Sequence, residues 1–155
     1  MITAHLPAGY VLSRGFVWSG AALVAALLGS IWPDLDLIWF YLIDDRAFHH
    51  HRYWVHAPAF ALAISAGIWL FCRATAPKWA PVIIAFGAGW CLHIALDGIA
   101  GGVMWHWPIS DAFYVLVDVP ARFDRWMLSF LVHWTMLLEA SIWVVAAFLW
   151  WRKDG

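Results

Sequence analysis

Apolar and polar positions along the chain fall into long blocks, with little alternation. Four stretches are nearly free of charge: about Phe16 to Trp32, Ala57 to Phe71, Pro81 to Trp105 and Trp126 to Trp151. Crossing roughly 30 Å of hydrocarbon takes about 20 helical residues, and in lipid every backbone N–H and C=O must be satisfied inside the segment. Each block therefore predicts a membrane-spanning helix. The run Leu35 to Ile43, LDLIWFYLI, is too short to cross and is expected at the interface or as an extension of the first hairpin.

Small residues recur four apart inside the blocks: Ala21, Ala25 and Gly29; Ala59, Ala63 and Gly67; Gly98 and Gly102. Such ridges let helices approach closely where lipid offers no hydrophobic drive to associate. Pro33 and Pro58 predict helix starts, where the missing amide donor costs little. The expected fold is all-α: one integral-membrane domain over residues 1–155, a polytopic bundle of about four transmembrane helices with short interfacial helices.

Composition agrees with lipid as the solvent. The chain is 65% apolar and 12% charged, against roughly half and a quarter in soluble proteins. Its 14 tryptophans suit the lipid–water boundary. A net charge of −1 supplies no basic face for a phosphate backbone, so nucleic acid is not an expected partner. Arg14, Arg73, Lys78, Arg152 and Lys153 fall at one membrane face, and Arg46, Arg52, Arg122 and Arg125 at the other. This slight excess places both termini in the cytoplasm. The block after Arg14 is followed by no A-x-A cleavage pattern and is read as a retained helix. Cys72 and Cys91 stand alone in apolar segments and read as small buried hydrophobes.

Against this background HHHRYWVH, His49 to His56, is out of character. It collects four histidines in eight positions. With spans in antiparallel order, it lies at the same membrane face as Asp34 and Asp36 of PDLD and His93 and Asp97 of HIALD. His93 and Asp97 are i, i+4 and project from one stripe of a helix. An ionised Asp inside a span costs about 2.5–3.5 kcal/mol, so Asp97 needs a cation, a proton or a water-filled cavity. Taken singly, the His93/Asp97 pair reads as a structural hydrogen bond and the D-x-D as a helix cap. Their convergence with His51 and His56 favours a divalent-metal site of the kind bundles build from facing helices. Imidazole and carboxylate suit zinc, manganese or iron, with magnesium possible if carboxylates dominate.

P-D-x-D (Pro33, Asp34, Asp36), H-R-x-x-x-H (His51, Arg52, His56) and H-x-x-x-D followed by small residues and a proline (His93, Asp97, Gly101, Pro108) resemble the YdjM-like family of inner-membrane, metal-dependent hydrolases. The resemblance covers roughly residues 15 to 110. Where the family has T-H-S, this chain has Val55, His56 and Ala57, losing two hydroxyls. The additional His49 and His50 leave more than one candidate imidazole; His51 is preferred because Arg52 follows it. A more distant likeness is to zinc-dependent phospholipase C, whose helical G-x-x-x-H-x-x-x-D matches Gly89, His93 and Asp97.

The resemblance implies a bacterial inner-membrane hydrolase. Asp34, Asp36, His51, His56, His93 and Asp97 would hold one or two divalent ions, zinc foremost, activating water against a phosphoester. Asp34 and Arg52 are the expected catalytic side chains, with Arg52, His50 and His106 on the substrate side. His106, in the aromatic WHWP, also suits an interfacial belt. Asp97 is expected about two turns from the end of its span, roughly 10 Å below the surface, which favours a lipid or polyprenyl phosphate entering from the bilayer. A metal or proton transporter and an adaptor with a structural metal site are the competing expectations. Glu139, in the fourth block, is either functional or protonated and bonded to a neighbouring helix; His133 lies on a different face from it; His5 is expected at the surface.

Overall fold

The computed structural model describes Met1 and residues 3–152, so Lys153, assigned above to one membrane face, lies outside the described residues. All regular elements among them are helical: α1 His5–Gly15, α2 Gly20–Ile31, α3 Asp36–Leu42, α4 Pro58–Thr75, α5 Ala80–Ala100, α6 Trp126–Leu131 and α7 Thr135–Trp151. Single 3₁₀ turns lie at Pro33–Leu35, His50–Arg52, Trp54–His56 and Pro77–Trp79.

Two helices are long and apolar enough to cross a bilayer, Pro58–Thr75 and Pro77–Ala100. A third span is reached if α2 and the segment Pro33–Leu42, bent by 52° from it, count as one. The hydropathy pattern predicts about four. The difference lies in where helices break. Pro33 has no N–H and its ring crowds the preceding turn, so the first block bends there. That block also starts later than Phe16: α1 is a separate helix ahead of it, closed by Trp18 N donating to the Ser13 carbonyl at 2.9 Å, with Val17 at φ 57°. The fourth block breaks after Leu131, and α7 with its 17 residues is apolar but short. α5 stops at Ala100 because Gly101 and Gly102 follow, Gly102 at φ 72°, a conformation that favours glycine.

The bundle is built on the contact between α2 and α5. Ala26 lies against Gly89, and one turn further along both helices Ser30 lies against His93, so the two run side by side in the same direction. A Cβ at Gly89 would overlap the Ala26 carbonyl, and one at Gly29 the Phe86 carbonyl. α1 packs across the same pair, with Gly9 set directly on Ser30. The ridge expected on α2 is therefore partly realised: Ala25 and Gly29 are buried and Ala21 is exposed. On α4 it is not. Ala63 and Gly67 are exposed, and Gly67 has nothing within 4 Å of where a Cβ would stand. The inward face of α4 instead carries Ala61 and Ile64, packed with Val55, Trp90, Ile94 and Val103. Its outer face of Leu62, Ile68, Leu70 and Phe71 is exposed, as lipid contact requires.

Two features fix the end of the bundle where the polar residues gather. Trp90 Nε1 donates to the Val55 carbonyl at 2.6 Å, tying α5 to the turn before α4. After α5, an isolated antiparallel bridge joins Val103 and Tyr114, and the N–H groups of Leu116 and Val117 return to the carbonyls of Gly98 and Ile99 at 3.1 and 2.7 Å. Two carbonyls in the last turn of α5, which lack intrahelical donors, are thereby satisfied.

Gly89→Ala is expected to destabilise the purified protein in detergent by about 1–3 kcal/mol through overpacking. Gly67→Ala is expected to stay within about 0.5 kcal/mol of the parent. Thermal unfolding followed by tryptophan fluorescence distinguishes the two.

Candidate metal centre

Asp97 projects from the last turn of α5, 1% exposed, and three imidazoles surround one of its oxygens. His93 Nε2 lies 2.9 Å from Asp97 Oδ2, His51 Nε2 3.5 Å and His56 Nε2 3.7 Å. His93 is one turn before Asp97 on α5; His51 and His56 come from consecutive 3₁₀ turns that pack on it. His56 and His93 are 0% exposed and His51 is 5%.

The far side of each ring decides what its near side can do. His93 Nδ1 lies 2.8 Å from the Ser30 carbonyl, and His51 Nδ1 lies 2.7 and 3.1 Å from the carbonyls of Gly102 and Gly101. A carbonyl only accepts, so each Nδ1 carries a proton, and on the neutral ring each Nε2 then presents a lone pair. His56 Nδ1 is 3.0 Å from Asp36 Oδ2, the same arrangement with a carboxylate behind the ring, although the two are not aligned as a hydrogen bond. His56 Nε2, His93 Nε2 and Asp97 Oδ2 have no hydrogen-bond partner. Lone pairs buried against a carboxylate oxygen repel unless a cation or proton lies among them. Two ligand atoms about 2.1 Å from a tetrahedral ion stand about 3.4 Å apart; His51 and His56, at 3.5 and 3.7 Å from the carboxylate oxygen, are close to this, and His93, at 2.9 Å, is nearer. The chemistry of the donors and their spacing both fit a divalent ion.

Burial sets the protonation of the two turn histidines. It pulls His51 down to about 3 against the pull of Asp97, and lowers His56 against that of Asp36. Both rings are neutral at physiological pH, the form a metal requires.

Other candidates flank this group. Asp34 stands at its open edge, its side chain 34% exposed and Oδ1 3.6 Å from His93 Nε2. Asp34, His56 and His93 place ligand atoms within 4.8 Å of one another, and so do His50, His51 and His56. Asp36 is 7% exposed and sits behind His56, with His50 Nδ1 3.4 Å from its other oxygen. His49 points elsewhere: its Nδ1 accepts from the His51 amide at 3.2 Å and closes the turn. α5 ends sooner than the hydropathy block, so Asp97 lies about one turn from the helix end at Ala100, where two turns were expected.

Arg52 and His106 are not brought into the cluster. Arg52 pairs with Asp111 at 3.9 Å and stacks on Phe113 at 4.9 Å. It borders a cleft of about 410 Å³ lined also by His49, Gly101, Gly102, Val119 and Phe130. Gly101 and Gly102 separate this cleft from His51, whose ring they hold from behind. His106 is exposed, its ring against Tyr114 at 4.8 Å.

Sequence reasoning placed His5 at the surface, and the structure corrects this. His5 is 4% exposed, stacks on His93 at 3.8 Å and sets Nε2 3.2 Å from Asp97 Oδ1. The Met1 ammonium reaches the same oxygen at 2.7 Å. The available signal was spacing: His5, Gly9 and Ser13 form one small, polar stripe of α1, and all three are buried. Glu139, buried at 3% exposure, accepts from the Thr3 amide and hydroxyl at 2.7 and 2.8 Å. His133 stays apart, bonded to Thr135 at 3.0 Å. Cys72 and Cys91 are half-buried free thiols.

No curated protein and no solved structure matches the chain. The family described as YdjM inner membrane protein matches it across residues 1–153, and the chain belongs to that family of inner-membrane proteins.

Proposed function

We propose that the protein is a membrane-embedded, metal-dependent hydrolase acting on a phosphoester of a lipid or polyprenyl substrate. One observation carries the reading: three buried imidazoles direct Nε2 at a single carboxylate oxygen, and the protons of two of them are held on the opposite nitrogen by backbone carbonyls. His51, His56, His93 and Asp97 form the inner ligand set, and Asp36 orients His56 from behind, as second-sphere carboxylates do. Three imidazoles favour zinc, manganese or iron over magnesium.

A divalent ion held there supplies a water acidified toward neutrality and positive charge for the phosphate oxygens. The remaining steps belong to side chains. Asp34 is the ionisable group at the open edge of an otherwise enclosed cluster, so its Oδ1 takes the proton of the attacking water. Arg52 lies outside the ligand cluster, in the adjoining cleft, and binds the anionic group of the substrate from there. Its present partner Asp111 is 85% exposed and 3.9 Å away, an ion pair that an incoming phosphate exchanges at little cost. The cleft beside Arg52 adds Phe113, Val115, Val119 and Phe130, an apolar lining suited to the chain of a lipid-borne ester. His50, a fifth exposed and beside Asp36, stands at the rim on the substrate side.

Zinc at 100 times its Kd is expected to stabilise the protein by about 2.7 kcal/mol, read as a rise in unfolding temperature, and His93→Ala is expected to abolish that rise. In turnover assays against phospholipids and prenyl phosphates, Asp97→Ala is expected to lose bound metal and activity together. Asp34→Asn should keep the metal while losing about 10²–10⁴ in rate. Wild-type protein that binds no metal and hydrolyses none of these esters would overturn the proposal.

A further inference from the structure

We infer that His5 is a positioning residue for Asp97: it occupies the outer oxygen of that carboxylate so that the inner one faces the ion, and it is itself held through Thr3 by Glu139 of α7. The inference deepens the metal-centre reading and rests on it.

The two oxygens of Asp97 have different surroundings. Oδ1 receives His5 Nε2 at 3.2 Å and the Met1 ammonium at 2.7 Å, whereas Oδ2 has no hydrogen-bond partner and faces His51, His56 and His93. A carboxylate without donors on its outer oxygen rotates about its last bond and offers either oxygen to a cation. Donors on Oδ1 hold its plane. Metal-ligating groups are oriented by second-sphere hydrogen bonds in this way, and losing one typically costs 10–100-fold in metal affinity.

His5 Nε2 is a donor here and not a ligand atom. Its Nε2 also lies 3.2 Å from the Met1 carbonyl, which only accepts. The proton is therefore on Nε2, shared between that carbonyl and Asp97 Oδ1, and a protonated nitrogen has no lone pair for a metal. The ring adds a second constraint, stacking on His93 at 3.8 Å and 19° and so limiting the tilt of a ligand imidazole.

The same segment explains an acidic residue in an apolar helix. Glu139 Oε2 accepts both donors of Thr3, and Trp143 Nε1, one turn along α7, reaches the Thr3 hydroxyl at 3.2 Å. α7 thereby holds the strand of chain that leads into α1 and sets where His5 sits. Glu139 acts on the centre through Thr3 and His5.

The test is a zinc titration of the full chain in detergent against a chromophoric chelator, with thermal unfolding of the zinc-free protein as the folding control. His5→Ala is expected to weaken zinc binding about 10–100-fold at unchanged stoichiometry, and His5→Gln, which keeps a side-chain N–H donor, to recover most of that loss. Should His5→Ala fail to fold, His5→Leu carries the same expectation. Wild-type affinity in His5→Ala or His5→Leu overturns the inference. So does a His5→Gln as weak as His5→Ala, or fewer ions bound, either of which makes His5 a ligand. A wild-type chain that takes up no zinc fails earlier, at the metal centre itself, and is distinguishable because the His5 variants then have nothing to lose.

Discussion

A carboxylate at the buried end of a membrane helix has to be neutralised, and Asp97 imposes that condition on everything near it. Its ionised form costs about 2.5–3.5 kcal/mol in a span. The chain answers with donors on Oδ1, the Met1 ammonium among them, and with three imidazole edges on Oδ2. The tight contact between α2 and α5 follows from the same need. With Gly89 set against the Ala26 carbonyl, Ser30 comes close enough for its carbonyl to accept a hydrogen bond from His93 Nδ1, and this turns the Nε2 edge of the ring toward Asp97. Glycines in the scaffold thus decide a tautomer in the site.

The breaks in the helices serve the same end. Were α2 to run straight through Pro33, Asp34 and Asp36 would continue along a hydrocarbon-facing cylinder. The 52° bend carries them across the end of the bundle, Asp36 behind His56 and Asp34 to the open edge. Gly101 and Gly102 end α5 and free two carbonyls, and both point at His51. Unpaired backbone carbonyls at helix ends are ordinarily a cost. Here they are the acceptors that orient the His51 ring.

What could be read in advance divides along physical lines. The six His and Asp positions gathered at one end were legible because periodicity and block order are enough to put PDLD, HRYWVH and HIALD at one membrane face, and i, i+4 spacing is enough to pair His93 with Asp97. Their pairing with particular carbonyls was not, since it depends on the close approach of α2 to α5. Block edges were the weakest part: hydropathy continues through Gly101 to Trp105 although the helix does not, so Asp97 lies closer to the end of its helix than the block implies. α4 turned another face inward because the core is completed by the large Trp90 and Ile94 packing on Ala61, and the Gly67 ridge is left outside. His5 escaped notice because α1 is an 11-residue helix with a proline in its first turn, too short for a hydropathy window to register. Arg52 and His106 show the limit of local motifs, since neighbours in sequence turn to opposite sides of one 3₁₀ turn or lie on a separate loop.

The contacts that define the centre join residues far apart in the chain: 63 positions from Ser30 to His93 and 51 from His51 to Gly102. Loop closure of that order comes late, after local helices have formed. During biosynthesis the first helices enter the membrane before the histidine and carboxylate of α5 have been made. No partial chain therefore holds the whole set of imidazoles and carboxylates, and their meeting is a mark of completed assembly.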